Sequence, residues 1–273
     1  MQIKNLAFVV NPDKPGAREL ANKLMRIAGE HGTRTAVTEM HPLPESFLED
    51  IDACCVLGGD GTLLGVVSAA AHTETPVFGV NHGKLGFMAT YSEEEVLEHF
   101  AGLLNGNFEL SRRQLLLCTT AAGQAFLALN DVVLKSDSAR LAQLSVHAPG
   151  ELVNHYNCDG LIFATPTGST AYNLSAGGPI VHPSAEVIVA TPICPHTLSN
   201  RAVVFSRETV LEVTSQESMQ HLILTVDGRA VARTETTLPL TVRTAPHTLK
   251  LAQHRGHSHF RLIRRKLEWG AND

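Results

Sequence analysis

The stretch VLGGDGTLLG, residues 56–65, places one carboxylate, Asp60, among Gly58, Gly59 and Gly61 where an apolar run ends. If ACCVL is a buried parallel strand and TLLGVVSAA the helix after it, this turn sits at the carboxyl edge of an open α/β sheet, where ligands of such folds bind. Glycines let a ligand approach the main chain, and a helix start offers N–H groups to an anion. The turn therefore reads as a phosphate cradle. It has neither the Gly-Lys-Ser/Thr of a Walker A loop nor the G-x-G-x-x-G of a dinucleotide fingerprint. A carboxylate beside phosphates is repelled unless a divalent cation bridges the two or the carboxylate takes up a proton, and both belong to phosphoryl transfer. The other reading of Asp60 is a helix cap.

A second cluster lies in DGLIFATPTGSTAYNLSAGGPIVHP, residues 159–183. Thr165, Thr167, Ser169 and Thr170 supply hydroxyls, Gly168 allows a close turn, and Ser169 can cap a helix through TAYNLSA. Tyr172 is either a flat face for a purine or a core tyrosine, and Asp159 can accept from an amide donor. The chain has 14 histidines, and HRGHSHF (His254, His257, His259) invites a metal reading. No cysteine or carboxylate nearby completes a ligand set, so no metal site is expected there and a solvated strand edge is.

Strands and helices must position these groups. From Ile3 to Leu104, short apolar runs (IKNLAFVV, ACCVL, PVFGV) alternate with helical stretches, GARELANKLMRIAGE with Leu20, Leu24 and Ile27 on one face and SEEEVLEHFAGLL with Ser92 and Glu95 as a capping box. This pattern predicts a parallel α/β sheet. After Asn105 the chain turns to short β-rich segments punctuated by Gly, Asp-Gly and Pro, which predict a mostly β, sandwich-like second domain with one helix near Ser169. The expected domains are residues 1–105, 106–255 and a C-terminal segment, 256–273. FRLIRRKLEWG in that segment either packs back on the first domain or forms an amphipathic tail.

The net charge is −5 with Lys and Arg scattered, so there is no basic stripe for nucleic acid and a small-molecule ligand is expected. No apolar stretch approaches the roughly 18–20 residues that span a bilayer, and the start enters a strand pattern directly. No membrane partner and a cytoplasmic location are expected. The five cysteines are odd in number, without C-x-x-C spacing, and should be mostly reduced and buried.

Gly-Gly-Asp-Gly-Thr after an apolar strand resembles the signature shared by NAD kinases, lipid kinases of the diacylglycerol type and 6-phosphofructokinases. The later blocks, VNHGKLGFM (80–88), LND (129–131), the 25-residue block from Asp159, TPICPHTLSNRAVV (191–204), VDG (226–228) and RRKLEWG, resemble the NAD kinases in order. The resemblance implies transfer of the terminal phosphoryl group of ATP, or of polyphosphate, to the 2′-hydroxyl of the adenosine ribose of NAD. It implies Asp60 as general base, and Gly58, Gly59, Gly61 and Thr62 holding phosphates and positioning Mg²⁺ or another divalent cation. Asn130 and Asp131 match the pair that holds the adenosine. Asp159, Thr167, Thr170, Ala171, Tyr172 and Ser175 match the NAD pocket, which Gly83, Leu85 and Phe87 line from the first domain, in a cleft between domains. Homodimers or homotetramers are implied as well. Two positions depart from the family: Asp131 stands for its usual Glu, one methylene shorter, and Asn157 for a basic residue. A lipid kinase and a non-catalytic nucleotide-binding module are the alternatives; the first would need a membrane-facing patch, and the second would have no use for Asp60.

Overall fold

The first strand, β1 (Asn5–Val10), is followed by helix α1 (Ala17–Glu30), strands β2 (Arg34–Thr38) and β3 (Ala53–Gly58), short helices α2 (Asp60–Leu64) and α3 (Val67–His72), strand β4 (Val77–Asn81) and helix α4 (Glu93–Leu104). This computed structural model describes residues 2–81, 86–215, 221–233 and 237–270. Its chain divides into two units, one made of Met1–Arg112 and Leu249–Asp273, the other of Arg113–Thr248.

In the first unit the strands pair in parallel in the order β2-β1-β3-β4. β3 is buried along its whole length, which is why ACCVL reads as a continuous apolar run rather than an alternating one. Leu20, Leu24 and Ala28 of α1 and Val96, Phe100 and Leu103 of α4 pack with Leu6 and Phe8 of β1. Ser92 caps α4 as its sequence predicts: Glu95 N–H donates to Ser92 Oγ at 3.1 Å and Ser92 N–H to Glu95 Oε2 at 2.8 Å. β2 was not anticipated, because RTAVT is a largely exposed edge strand with no buried face to print a pattern. The single helix expected after β3 is two, α2 and α3, separated at Gly65 and Val66.

The second unit takes in most of β5 (Glu109–Thr119), then β6 (Ala125–Ala128), β7 (Asp131–Ser136), β8 (Ala142–Ala148), β9 (Glu151–Cys158), β10 (Gly160–Ala164), α5 (Tyr172–Ser175), β11 (Val187–Ile193), β12 (Val203–Ser206), β13 (Leu211–Ser215), β14 (Leu222–Val226), β15 (Arg229–Arg233) and the first part of β16 (Leu240–Gln253). One antiparallel sheet runs β12-β11-β10-β7-β14-β15; in another, β13 lies between β16 and β8, with β9 beyond. Leu134, Phe163, Ile188 and Leu224 of the first sheet share a core with Leu144, Val146, Val213 and Val242 of the second. The opposite face of the first sheet buries Val133, Ile162 and Val189 under Ala176, Val181 and Ala202. With both faces covered, GLIFA of β10 is buried throughout.

The helix expected at Ser169 is only α5, preceded by a 3₁₀ turn at Gly168–Thr170. Ser169 does not cap it. After β16 the chain belongs again to the first unit, where Leu251 pairs with Val77 of β4, and it ends in α6 (His259–Leu267), capped by Ser258. HRGHSHF is therefore not a strand edge: residues 254–258 form the turn between β16 and α6, and His259 opens the helix. Among the described residues no helix is long and apolar enough to cross a membrane. Four of the cysteines are buried and Cys194 is exposed, all as free thiols.

Replacing Ser92 with Ala removes one half of the capping box, and urea unfolding followed by circular dichroism should show a loss of about 1 kcal/mol. An unchanged midpoint would mean that the α4 cap contributes nothing to stability.

Candidate active site

In the order β2-β1-β3-β4 the chain leaves β1 toward one edge and reaches β3 on the other side, so the carboxyl ends of β1 and β3 flank a topological switch point. A cavity of about 430 Å³ opens there. Asn11, Asp13 and Lys14 line it from the turn after β1, and Gly59, Gly61 and Thr62 from the glycine turn. The two turns are joined by a 3.1 Å hydrogen bond from Asn11 Nδ2 to Thr62 Oγ1. A Cβ at Gly58 would collide with the Thr62 side chain, whereas one at Gly59 or Gly61 would meet nothing. The fold thus uses the missing side chain of Gly58 for its own packing. Those of Gly59 and Gly61 leave space on the cavity side.

Asp60 opens α2 but does not cap it; no side-chain cap is present on that helix. Its carboxylate turns instead to the segment after β4. Oδ2 accepts from Phe87 N–H at 2.8 Å, and Oδ1 accepts from Met88 N–H at 3.1 Å and Ala89 N–H at 3.0 Å. A carboxylate has about four acceptor directions, so one remains on Oδ2. The Phe87 ring is in turn covered by Lys266 of α6, whose Nζ lies 5.7 Å from the ring centroid. RRKLEWG therefore reaches the segment that holds Asp60, a link the sequence blocks did not reveal. Gly83 and Leu85 lie outside the described residues.

In the second unit, three sequence blocks meet around residues 129–131. Thr165 Oγ1 donates to Leu129 C=O at 2.5 Å, and Thr165 N–H donates to Asn130 C=O at 2.9 Å. Gly168 lies so close to Asn130 that a Cβ there would overlap its carbonyl. On the other side the Asp227 carboxylate accepts from the N–H groups of Leu129, Asn130 and Asp131 at 2.9, 2.7 and 3.1 Å. Asp131 is 5 % exposed. Burial, and then the neighbouring Asp227 charge, push its carboxyl up to about 7.

The hydroxyl-rich block divides into two sets. Thr165 and Ser169 are fully buried and serve the fold: Ser169 Oγ donates to Pro166 C=O at 2.7 Å and accepts from Val181 N–H at 3.0 Å. Asn173, which sequence reading did not single out, is also fully buried, donates to Ser169 and Pro179 carbonyls and accepts from Thr191 Oγ1 at 2.7 Å. Thr167 belongs to the other set, with a hydroxyl that is buried without a hydrogen-bond partner, the state that a site awaiting a ligand group leaves behind. Tyr172 is 41 % exposed and is not a core tyrosine. Asp159 and Ser175 are exposed, and Thr170 and Ala171 are half-buried. Among the described residues no set of three His, Cys, Asp or Glu side chains is arranged to hold a metal ion.

Residues 39–108 match the ATP-NAD kinase N-terminal domain and residues 129–254 the ATP-NAD kinase C-terminal domain. The chain belongs to the NAD kinase family. Curated NAD kinases resemble it along nearly its whole length: that of Solibacter usitatus is 36 % identical over 282 residues, with 98 % of each chain covered, and one from Clostridium botulinum is 32 % identical over 278, with 99 % of each. Two solved NAD kinase family structures superpose at 25 % identity. Yeast NADH kinase, complexed with NADH, covers 99 % of this chain and 89 % of its own at a TM-score of 0.88. An Archaeoglobus fulgidus NAD kinase in complex with ATP covers 97 % and 98 % at 0.79. As a member of the NAD kinase family the chain is an enzyme, a phosphotransferase. Both family domains contain one of the carboxylate-held segments: residues 87–89 fall in the N-terminal match and residues 129–131 in the C-terminal one.

Replacing Gly168 with Ala forces a methyl group into the Asn130 peptide. The expected cost is about 1–3 kcal/mol, read as a lower thermal midpoint. A variant as stable as the wild type would show that the contact between the two blocks is slack.

Proposed function

We propose that this chain transfers the terminal phosphoryl group of ATP to the 2′-hydroxyl of the adenosine ribose of NAD, giving NADP. The observation that carries the proposal is the cavity at the switch point, lined by Gly59, Gly61 and Thr62 of the glycine turn and by Asn11 and Lys14 of the turn after β1. Phosphates of the donor are held by the turn Gly58, Gly59, Gly61 and Thr62, over Gly59 and Gly61 where no side chain intrudes. Lys14, which has no ion-pair partner among the described residues, supplies positive charge. Asn130, Asp131 and the set Asp159, Thr167, Thr170, Ala171, Tyr172 and Ser175 bind NAD, with the lone hydroxyl of Thr167 offered to the nucleotide. Phe87 is proposed as a further NAD contact on the family resemblance. Asp60 receives the proton of the 2′-hydroxyl on its remaining acceptor direction, and the three N–H donors hold it in place. In phosphoryl transfer most of the acceleration comes from such positioning and from charge neutralisation.

The protein's donor set fits a magnesium ion that arrives with the nucleotide. Mg²⁺ keeps several waters and takes one or two protein oxygens together with substrate phosphates, and Thr62 and Asp13 are oxygen-bearing residues that line the cavity and could hold it. When bound, the ion neutralises phosphate charge. Polyphosphate as an alternative donor, a cytoplasmic location and a homodimer or homotetramer are proposed on the family resemblance.

The test is NADP formation from NAD and Mg-ATP, read with an NADP-specific dehydrogenase. The wild type should make NADP. Asp60→Asn should bind NAD but lose about 10²–10⁴-fold in kcat, with its thermal midpoint read alongside because one acceptor of the Phe87, Met88 and Ala89 N–H groups becomes a donor. Lys14→Ala should raise KM for ATP while leaving KM for NAD within about twofold. A wild type that binds NAD but makes no NADP from ATP or polyphosphate would reduce the chain to a nucleotide-binding protein.

A further inference from the structure

Asp227 sits in a hairpin of two residues between β14 and β15, and both turn residues have left-handed backbone, Asp227 at φ 48° and Gly228 at φ 78°. This is the Asp-Gly type I′ geometry that matches strand twist. An aspartate tolerates it better than most side chains, but the turn alone needs no carboxylate. The carboxylate has another engagement. It accepts from three consecutive N–H groups, those of Leu129, Asn130 and Asp131, 96–98 residues away in the chain, while Asp227 N–H donates to Asp131 C=O at 3.0 Å. Together with the two bonds from Thr165 to the carbonyls of Leu129 and Asn130, these contacts account for every backbone polar group of residues 129–131. The backbone of that tripeptide is fixed at both its donors and its acceptors.

The geometry points to Asp227 as a positioning residue for nucleotide binding: it anchors the backbone from which Asn130 and Asp131 project, and it sets a second carboxylate beside the buried Asp131 side chain. This inference rests on the reading that Asn130 and Asp131 face NAD. Two carboxyls in one partly desolvated place resist ionising together. Burial pushes the Asp227 carboxyl up as well, but three N–H donors and the Arg229 cation on β15 work against that shift, whereas no hydrogen bond to the Asp131 carboxyl is present among the described residues, so of the two Asp131 is the one that holds the proton. The remaining titratable neighbour, Cys118 on β5, is held as a neutral thiol, with burial pushing it up to about 12. A neutral Asp131 can donate its O–H to a ribose oxygen and accept from another group. An ionised one would only accept.

The sign follows. Asp131 is raised, to about 7, so its proton is held below that pH and lost above it, and NAD affinity should fall as pH rises through that value. Folding linkage runs the same way: the folded state binds the extra proton between about pH 4 and 7, so that stability contribution declines over this range. The experiment is KM for NAD and for Mg-ATP against pH from 5.5 to 9 in four forms of the full chain. The wild type should show the alkaline limb in KM for NAD only. Asp131→Asn, a permanently neutral isostere, should abolish the limb. Asp227→Asn should move it down by more than about one pH unit and raise KM for NAD about tenfold at pH 7, with KM for Mg-ATP unchanged. Arg229→Gln, which leaves the three N–H bonds in place but removes the cation that compensates Asp227, should shift it in the opposite direction by less, so the inference stays testable if Asp227→Asn does not fold. If Asp131→Asn has no effect on NAD, the reading of Asn130 and Asp131 fails. If Asp131→Asn abolishes the limb but the Asp227 and Arg229 variants leave it in place, or if Asp227→Asn raises both KM values in parallel, the positioning role is overturned while that reading stands.

Discussion

Peptide N–H groups that leave a sheet ladder must find an acceptor, and in each unit of this protein a carboxylate supplies it for three residues in a row. Asp60 accepts from residues 87–89 and Asp227 from residues 129–131. An orphaned buried donor costs about 1–3 kcal/mol, and bonds to an ionised acceptor are the stronger kind. Successive N–H groups converging on one point are also how backbones bind phosphate. Here two such concavities are filled by the chain's own side chains. Each joins a turn to a segment far along the sequence, and so fixes where the neighbouring side chains project.

The hydroxyl block shows the same economy of use. Thr165, Ser169 and Asn173 point into the unit and satisfy carbonyls and N–H groups of residues 129–130, 166, 179 and 181. Thr167 and Tyr172, between them in sequence, are left without such duties, one as a partnerless buried hydroxyl and the other as an exposed ring. Much of what makes this block specific is therefore the demand of folding a polar turn beside a buried strand. The positions proposed to face the ligand are the minority that the fold does not consume.

How much of this could be read in the sequence depends on how local the cause is. The buried strands β1, β3 and β4, helix α1 and the capping box of α4 each follow from residues within one or two turns of one another. β2 escaped because an exposed edge strand has no buried face, and HRGHSHF was misread because alternate histidines imitate strand periodicity while Ser258 starts a helix. The glycine turn is legible as a candidate site, but the partners of Asp60 are 27–29 residues away. For Asp227 the sequence shows an Asp-Gly hairpin signal and no more, since nothing local says which N–H groups its carboxylate will meet.

Long-range anchoring also bears on residue 131, one of the two positions where the family resemblance implies a different residue. With Asp in place of Glu at residue 131, the side chain is shorter by one methylene, and reach must come from where the backbone lies rather than from side-chain length. That backbone has no slack: its donors go to Asp227, and the carbonyls of residues 129, 130 and 131 go to Thr165, Thr165 and Asp227. A shorter, stiffer acid on a fixed backbone loses less rotamer entropy when it is ordered than a Glu does. The same closeness to the main chain keeps it buried beside a second carboxylate, and burial first and that charge second push its carboxyl up. Length, rigidity and charge state at residue 131 are therefore one linked choice, and the element that links them is the hairpin carrying Asp227.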